Sequence, residues 1–214
     1  MRRHSVTACV LATLALAGCE GAVAPERSTI YQFDLEGTGE VFHWTPDRLP
    51  VRYWVAPGAG VVRDFVSAGM LRWGNQFLYG EYRGVLVEDS TRADVLVRVT
   101  PSAPPTGTPS DDPPEVGACD GVTSNERVDG QLAGPFRVRV NWDVRYVDQD
   151  VVNCLERVTV HEIGHTIGLF GHSSNDADLM NPTPRVNAPS GIDRATAEVL
   201  YHTRPSLRPP EIAR

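Results

Sequence analysis

Residues 161–182 read His161-Glu162-Ile163-Gly164-His165-Thr166-Ile167-Gly168-Leu169-Phe170-Gly171-His172-Ser173-Ser174-Asn175-Asp176-Ala177-Asp178-Leu179-Met180-Asn181-Pro182. The first five belong to a stretch, 147–169, whose apolar positions Val151, Val152, Leu155, Val158, Val160, Ile163 and Ile167 cover most of a helical circumference, which predicts a buried helix. At about 100° per residue, positions i and i+4 lie about 40° and one turn apart, so His161 and His165 point two imidazoles at one ion. Glu162 sits near that face and reaches a water at the ion without being a ligand. A metal lowers the pKa of its water towards about 7 and polarises a carbonyl, while a carboxylate takes and returns the proton. That is what a zinc-dependent hydrolase needs. Two histidines and a glutamate on a buried face would otherwise be costly.

Gly168 falls where the helix must end, and a glycine can turn the chain back beneath such an ion. His172 follows, then Asp178-Leu179-Met180-Asn181-Pro182. The whole stretch resembles the metzincin metallopeptidases, specifically the matrixin group, and a weaker similarity runs from about Leu49 to Tyr201. The resemblance implies that His161, His165 and His172 bind one catalytic Zn2+, that Glu162 is the general base, and that Met180 lies in a methionine turn under the metal. It implies an α+β or α/β metzincin-like catalytic domain: a twisted five-stranded mixed sheet with one antiparallel edge strand above the cleft, and three helices. A protein or peptide substrate would add beside that edge as a further strand.

Three features depart from the family pattern. His172 is four residues after Gly168 instead of three, so Phe170 or Gly171 is an extra residue; Gly171, able to take backbone angles closed to other residues, is expected to absorb it. No histidine lies between His43 and His161, so the second, structural zinc of vertebrate matrixins has no imidazole ligands. No cysteine lies between Cys19 and Cys119, which removes a thiol-based latency switch. Asp176 and Asp178 compete with His172 as third ligand, and Glu198 would serve in a gluzincin-like site. Calcium is possible but not indicated, because the spacing of Asp111, Asp112, Asp120 and Asp129 fits no recognised calcium loop.

Outward from the motif, Leu49 to Pro57 alternates between prolines as a strand, and 61–79 carries the helical stripe Val62, Val66, Met70, Trp73 and Phe77, with Gly80 as its stop. Segments 84–88, 94–100, 116–123 and 136–143 read as strands, 101–114 as a proline-rich surface loop, and 192–202 as a helix opened by Ser190 or Asp193. His43 and His202 are expected at the surface.

The 214 residues suit one catalytic-sized domain, and 41% hydrophobic with 22% charged residues excludes both a disordered chain and a polytopic membrane protein. The net charge of −7 repels phosphate backbones, which argues against nucleic acid as a partner. All 20 basic residues are arginine, so Schiff-base and P-loop lysine chemistry is excluded. The start combines Arg2 and Arg3, an apolar run from Val6 to Ala17, and Leu16-Ala17-Gly18-Cys19, which resembles the lipobox of bacterial lipoproteins. This implies a signal peptide over 1–18 and lipid on Cys19, hence an exported lipoprotein on the periplasmic face of a membrane or the cell surface, with no other membrane contact. Residues 19–40 then read as a tether, 41–205 as the peptidase domain and 206–214 as a C-terminal tail. Once Cys9 is cut away and Cys19 acylated, Cys119 and Cys154 remain, and an even pair in an exported chain suggests a disulfide, with two free buried thiols as the alternative.

The composite expectation is a monomeric, lipid-anchored zinc endopeptidase. The alternative is a binding or structural lipoprotein that keeps the fold without turnover.

Overall fold

A computed structural model describes residues 30–102, 119–143 and 149–212. Its elements run β1 (Val51–Val55), α1 (Val62–Gly74), β2 (Gly84–Leu86), β3 (Val95–Ser102), β4 (Cys119–Ser124), β5 (Arg127–Val128), β6 (Gln131–Leu132), β7 (Phe136–Asp143), α2 (Gln149–Thr166) and α3 (Gly191–Tyr201). Five strands form one sheet in the order β2-β1-β3-β7-β4; all pairs are parallel except β4 against β7, which makes β4 an antiparallel edge. The sheet, its edge strand and the three helices agree with the architecture expected from the sequence.

Alternation decides which face is covered. Tyr53, Val95, Val97, Phe136, Val138 and Val140 are buried, and the register pairs Val95 with Phe136 and Val97 with Val138, so the apolar set lines up across strands. Arg98, on the opposite face, lies over the Trp54 ring. On the apolar face α1 buries Val62, Val66, Met70 and Trp73 against α2. The helices approach closely at Gly69, where a Cβ would lie 3.1 Å from Ile163, and the Trp73 indole donates to the Val160 carbonyl at 2.9 Å. Beneath them Asp94, fully buried, accepts from the Arg52 side chain at 3.0 Å and its amide at 2.9 Å, tying β1 to the start of β3.

The structure departs from the expectations at several points. α1 ends at Gly74, short of Gly80, and Leu78 and Tyr79 beyond it are exposed. A short hairpin, β5–β6, lies between β4 and β7; Asp129 and Gly130 turn it with φ of 51° and 70°, a conformation for which Asp-Gly is well suited. His43 is buried, not at the surface: its ring contacts the Trp44 and Thr203 carbonyls and packs on Tyr201. Within the stretch read as a tether, Tyr31, Phe33 and Leu35 pack on the core, because they are apolar side chains spaced to face one side. Within the stretch read as a tail, Leu207 is buried, and the Ser206 and Leu207 amides bond the Val41 carbonyl. The signal segment, Cys19, residues 19–29, Asp111, Asp112 and most of the proline-rich loop lie outside the described residues. Among those described, no helix is long and apolar enough to cross a membrane.

Candidate metal centre

α2 delivers His161 and His165 one turn apart, then ends at Thr166. Gly168 reverses the chain with φ of 112°, and a Cβ there would lie 1.9 Å from the Phe42 carbonyl oxygen, so only glycine fits. The returning chain brings His172 back: one ligand atom from each of His161, His165 and His172 lies within 4.8 Å of the others. The His172 ring stacks on His161 at 5.3 Å and stands edge-on to His165 at 4.9 Å. The extra residue before His172 is therefore accommodated.

The reason for Gly171 differs from the sequence expectation. It is not among the residues of positive φ; a Cβ would instead fall 1.8 Å from the Gln32 carbonyl oxygen. The N-terminal segment around Gln32 lies against the loop there, and the Phe170 amide donates to the Phe33 carbonyl at 3.1 Å.

The imidazoles are held in one tautomer. Nδ1 of His161 donates to the Leu179 carbonyl at 2.8 Å and Nδ1 of His165 to the Leu169 carbonyl at 2.6 Å. A carbonyl only accepts, so both Nδ1 atoms carry protons. Burial pushes His161 down to about 4 and His165 well below the usual histidine range, so both rings are neutral. Two Nε2 lone pairs thus face each other at 3.1 Å. Such an approach suits a shared cation, and it lies close to the roughly 3.3 Å expected between two nitrogens of a tetrahedral zinc site. The donor set fits zinc.

Glu162 is buried beside this cluster, under the edge strand. The Thr123 hydroxyl donates to its Oε2 at 2.6 Å, and a Cβ on Gly121 would lie 2.6 Å from Oε1, so β4 leaves room for the carboxylate only by having glycine there. Burial pushes the Glu162 carboxyl up to about 7; the Thr123 bond opposes this and the Asp120 charge adds to it. Met180 is fully buried beneath Gly164, where a Cβ would lie 2.4 Å from its sulfur. Met180 thus forms a floor under the helix that carries the histidines.

The turn after His172 is fixed by two buried carboxylates. Asp178 accepts from Ser173 Oγ at 2.5 Å and Ser190 Oγ at 2.7 Å. Asp193 accepts from the Leu179 amide at 2.7 Å, the Ser190 amide at 2.8 Å and the Tyr31 hydroxyl at 2.9 Å. Neither joins the histidines. Asp176 faces Arg185 at 3.5 Å and Glu198 accepts from Arg194 at 2.9 Å, so the competing ligands are engaged elsewhere. Cys119 and Cys154 are disulfide-bonded, joining the start of β4 to α2. Together these elements border an open cleft of about 780 Å³.

Sequence reasoning missed Thr123, Gly121, Gly164 and Asp193. A capping pattern, Ser190 followed by Asp193, marked the last as a helix-start residue only. No local pattern marks Thr123, whose partner is 39 residues away. The family model described as Matrixin matches residues 64–200, from within the first turn of α1 through α2, the sheet from β2 onwards and every residue of the cluster. No curated protein matches the chain at a significant level.

Proposed function

The chain belongs to the matrixin family of zinc metallopeptidases, and from that premise we propose that it is an endopeptidase hydrolysing peptide bonds of extracytoplasmic proteins or peptides, with Glu162 as general base. The carrying observation is the buried Glu162 carboxylate beside three converging imidazoles, His161, His165 and His172, in an open cleft. Zinc held by these imidazoles would supply Lewis acidity towards the scissile carbonyl and acidify the attacking water.

The remaining steps belong to the chain. The outer edge of β4 has no strand partner among the described residues and offers its amides and carbonyls to an extended peptide. With Oε2 held by Thr123, Oε1 of Glu162 takes the proton from the attacking water and returns it to the departing amine. The Leu179 and Leu169 carbonyls keep the imidazoles oriented throughout. The same reading puts the domain outside the cytoplasm as a monomer anchored through lipid on Cys19, supported by the sequence Leu16-Ala17-Gly18-Cys19.

Metal analysis together with cleavage of a broad peptide library tests the enzyme. Glu162→Gln should retain zinc and lose activity by about 10²-fold or more; comparable turnover in the variant removes Glu162 from its role. Peptide binding without turnover in the parent protein would favour the non-catalytic alternative. Cys19→Ser should release the protein from membranes, and equal retention would end the lipid-anchor reading.

A further inference from the structure

Among the described residues, two arginines, Arg127 and Arg157, line the cleft. Arg127 is paired with Glu40. Arg157, half-buried on α2, makes no hydrogen bond or ion pair among the described residues. The carboxylate beside it in sequence, Glu156, is held instead by Arg72 at 2.5 Å and Asn187 at 3.1 Å, and Arg157 acts on it only through its field. The acids lining the cleft among the described residues are also engaged: Asp120 by Asn141 and Glu162 by Thr123. A half-buried arginine on the cleft wall, with no protein partner among the described residues, leaves its guanidinium available to a carboxylate entering the cleft.

Its position says which substrate residue would meet it. Arg157 is four residues before His161, hence one turn away on the same helical face, about 6 Å along the axis. The Pro182–Pro184 segment, which follows the methionine turn, lines the same cleft. That segment is poor in backbone donors: its prolines have no N–H, and the Thr183 amide is taken by Asn181 Oδ1 at 2.9 Å. A side chain entering here meets the apolar Val158 and, for polar groups, the Thr183 hydroxyl and the Arg157 guanidinium.

We infer that Arg157 selects an acidic side chain in the substrate residue that flanks the scissile bond on the Pro182–Pro184 side. An extended peptide advances about 3.3 Å per residue, so the residue next to the bond held at His161 lies within reach of a guanidinium one helical turn away. An Asp or Glu there accepts a two-pronged, charge-assisted bond, whereas Lys or Arg meets a like charge in a partly desolvated wall. The full chain carries a net charge of −7, which repels acidic peptides at a distance, so this preference is one of contact and not of steering.

The inference rests on the peptidase reading, and the experiment separates the two. Peptides identical except for Asp, Glu, Gln, Leu or Lys at each position flanking the cleaved bond are assayed with the zinc-loaded parent, Arg157→Gln and Arg157→Glu, with zinc content and circular dichroism as folding controls. The same peptides, fluorescently labelled, are titrated into zinc-loaded Glu162→Gln by anisotropy. The parent should favour Asp or Glu over Gln at one flanking position by about tenfold in kcat/KM, and Glu162→Gln should bind those peptides more tightly by a similar factor. Arg157→Gln should level the preference, and Arg157→Glu should turn it towards Lys. Cleavage with no acidic preference, or an unchanged profile in folded Arg157→Glu, overturns the role of Arg157 while leaving the peptidase intact. Selective binding of acidic peptides with no cleavage by the parent keeps Arg157 and overturns the peptidase; neither binding preference nor cleavage overturns both.

Discussion

Asp193 and His161 are joined through a single residue: the Asp193 carboxylate accepts the Leu179 amide at 2.7 Å, and the Leu179 carbonyl accepts Nδ1 of His161 at 2.8 Å. The capping-box carboxylate of α3, three residues after the Ser190 cap, therefore sets the orientation of a candidate ligand on α2. Because Asp193 also holds the Ser190 amide and the Tyr31 hydroxyl, Asp193→Ala should cost about 2–4 kcal/mol in chemical denaturation. It should also weaken zinc binding about 10- to 100-fold, as loss of a ligand's outer partner does. A variant with parental stability and zinc affinity would show that Leu179 is held without Asp193.

His172, not an aspartate, should complete the ligand set. His172→Ala should lower zinc affinity strongly, while Asp176→Ala, whose partners are Arg185 and Asn181, should leave it unchanged. Asp178→Ala separates fold from ligation: it leaves the Ser173 and Ser190 hydroxyls without their acceptor and should cost about 1–3 kcal/mol while direct ligation survives. Competitive zinc titration beside thermal melts distinguishes these outcomes. Parental affinity in His172→Ala would move the third ligand elsewhere.

What was legible in the sequence had short-range causes. Period and spacing gave both long helices, and the i, i+4 histidines gave the centre of the site. Ser190 and Asp193 gave the start of α3. Position along the chain did not reveal burial created by distant partners. His43 is covered by Tyr201 and Thr203, some 160 residues away, and Gly171 is dictated by the Gln32 carbonyl. The β5–β6 hairpin was too short to show a period, although Asp129-Gly130 was a usable turn signal.

Gly171→Ala should disturb the metal centre although no ligand changes. The new Cβ meets backbone at 1.8 Å, so no side-chain rotation relieves it, and the 31–33 segment or the His172 loop must move. Weaker zinc binding and faster amide exchange at Phe170 are expected, since that amide donates to Phe33. Gly134→Ala is the control: nothing lies within 4 Å of its Cβ, and its effect should stay within about 0.5 kcal/mol. Indistinguishable zinc affinity in the two variants would mean that the N-terminal segment does not support His172.

The Cys119–Cys154 bond ties the first residue of β4 to α2, the two elements that hold Glu162 between them. Its closed loop spans 35 residues, for which the chain-entropy model gives a stabilisation of about 3–4 kcal/mol. Cys119→Ser with Cys154→Ser should therefore lower the denaturation midpoint by a comparable free energy. Both cysteines line the cleft, and β4 is the edge proposed to receive substrate, so the double variant should also lose more in KM than in zinc content. Intact mass before and after reduction and alkylation checks the bond first, and two thiols alkylated without reductant would refute it. If the bond is present and its removal changes stability but not KM, β4 is held in place by its pairing with β7 alone, and the disulfide serves the fold without shaping the cleft.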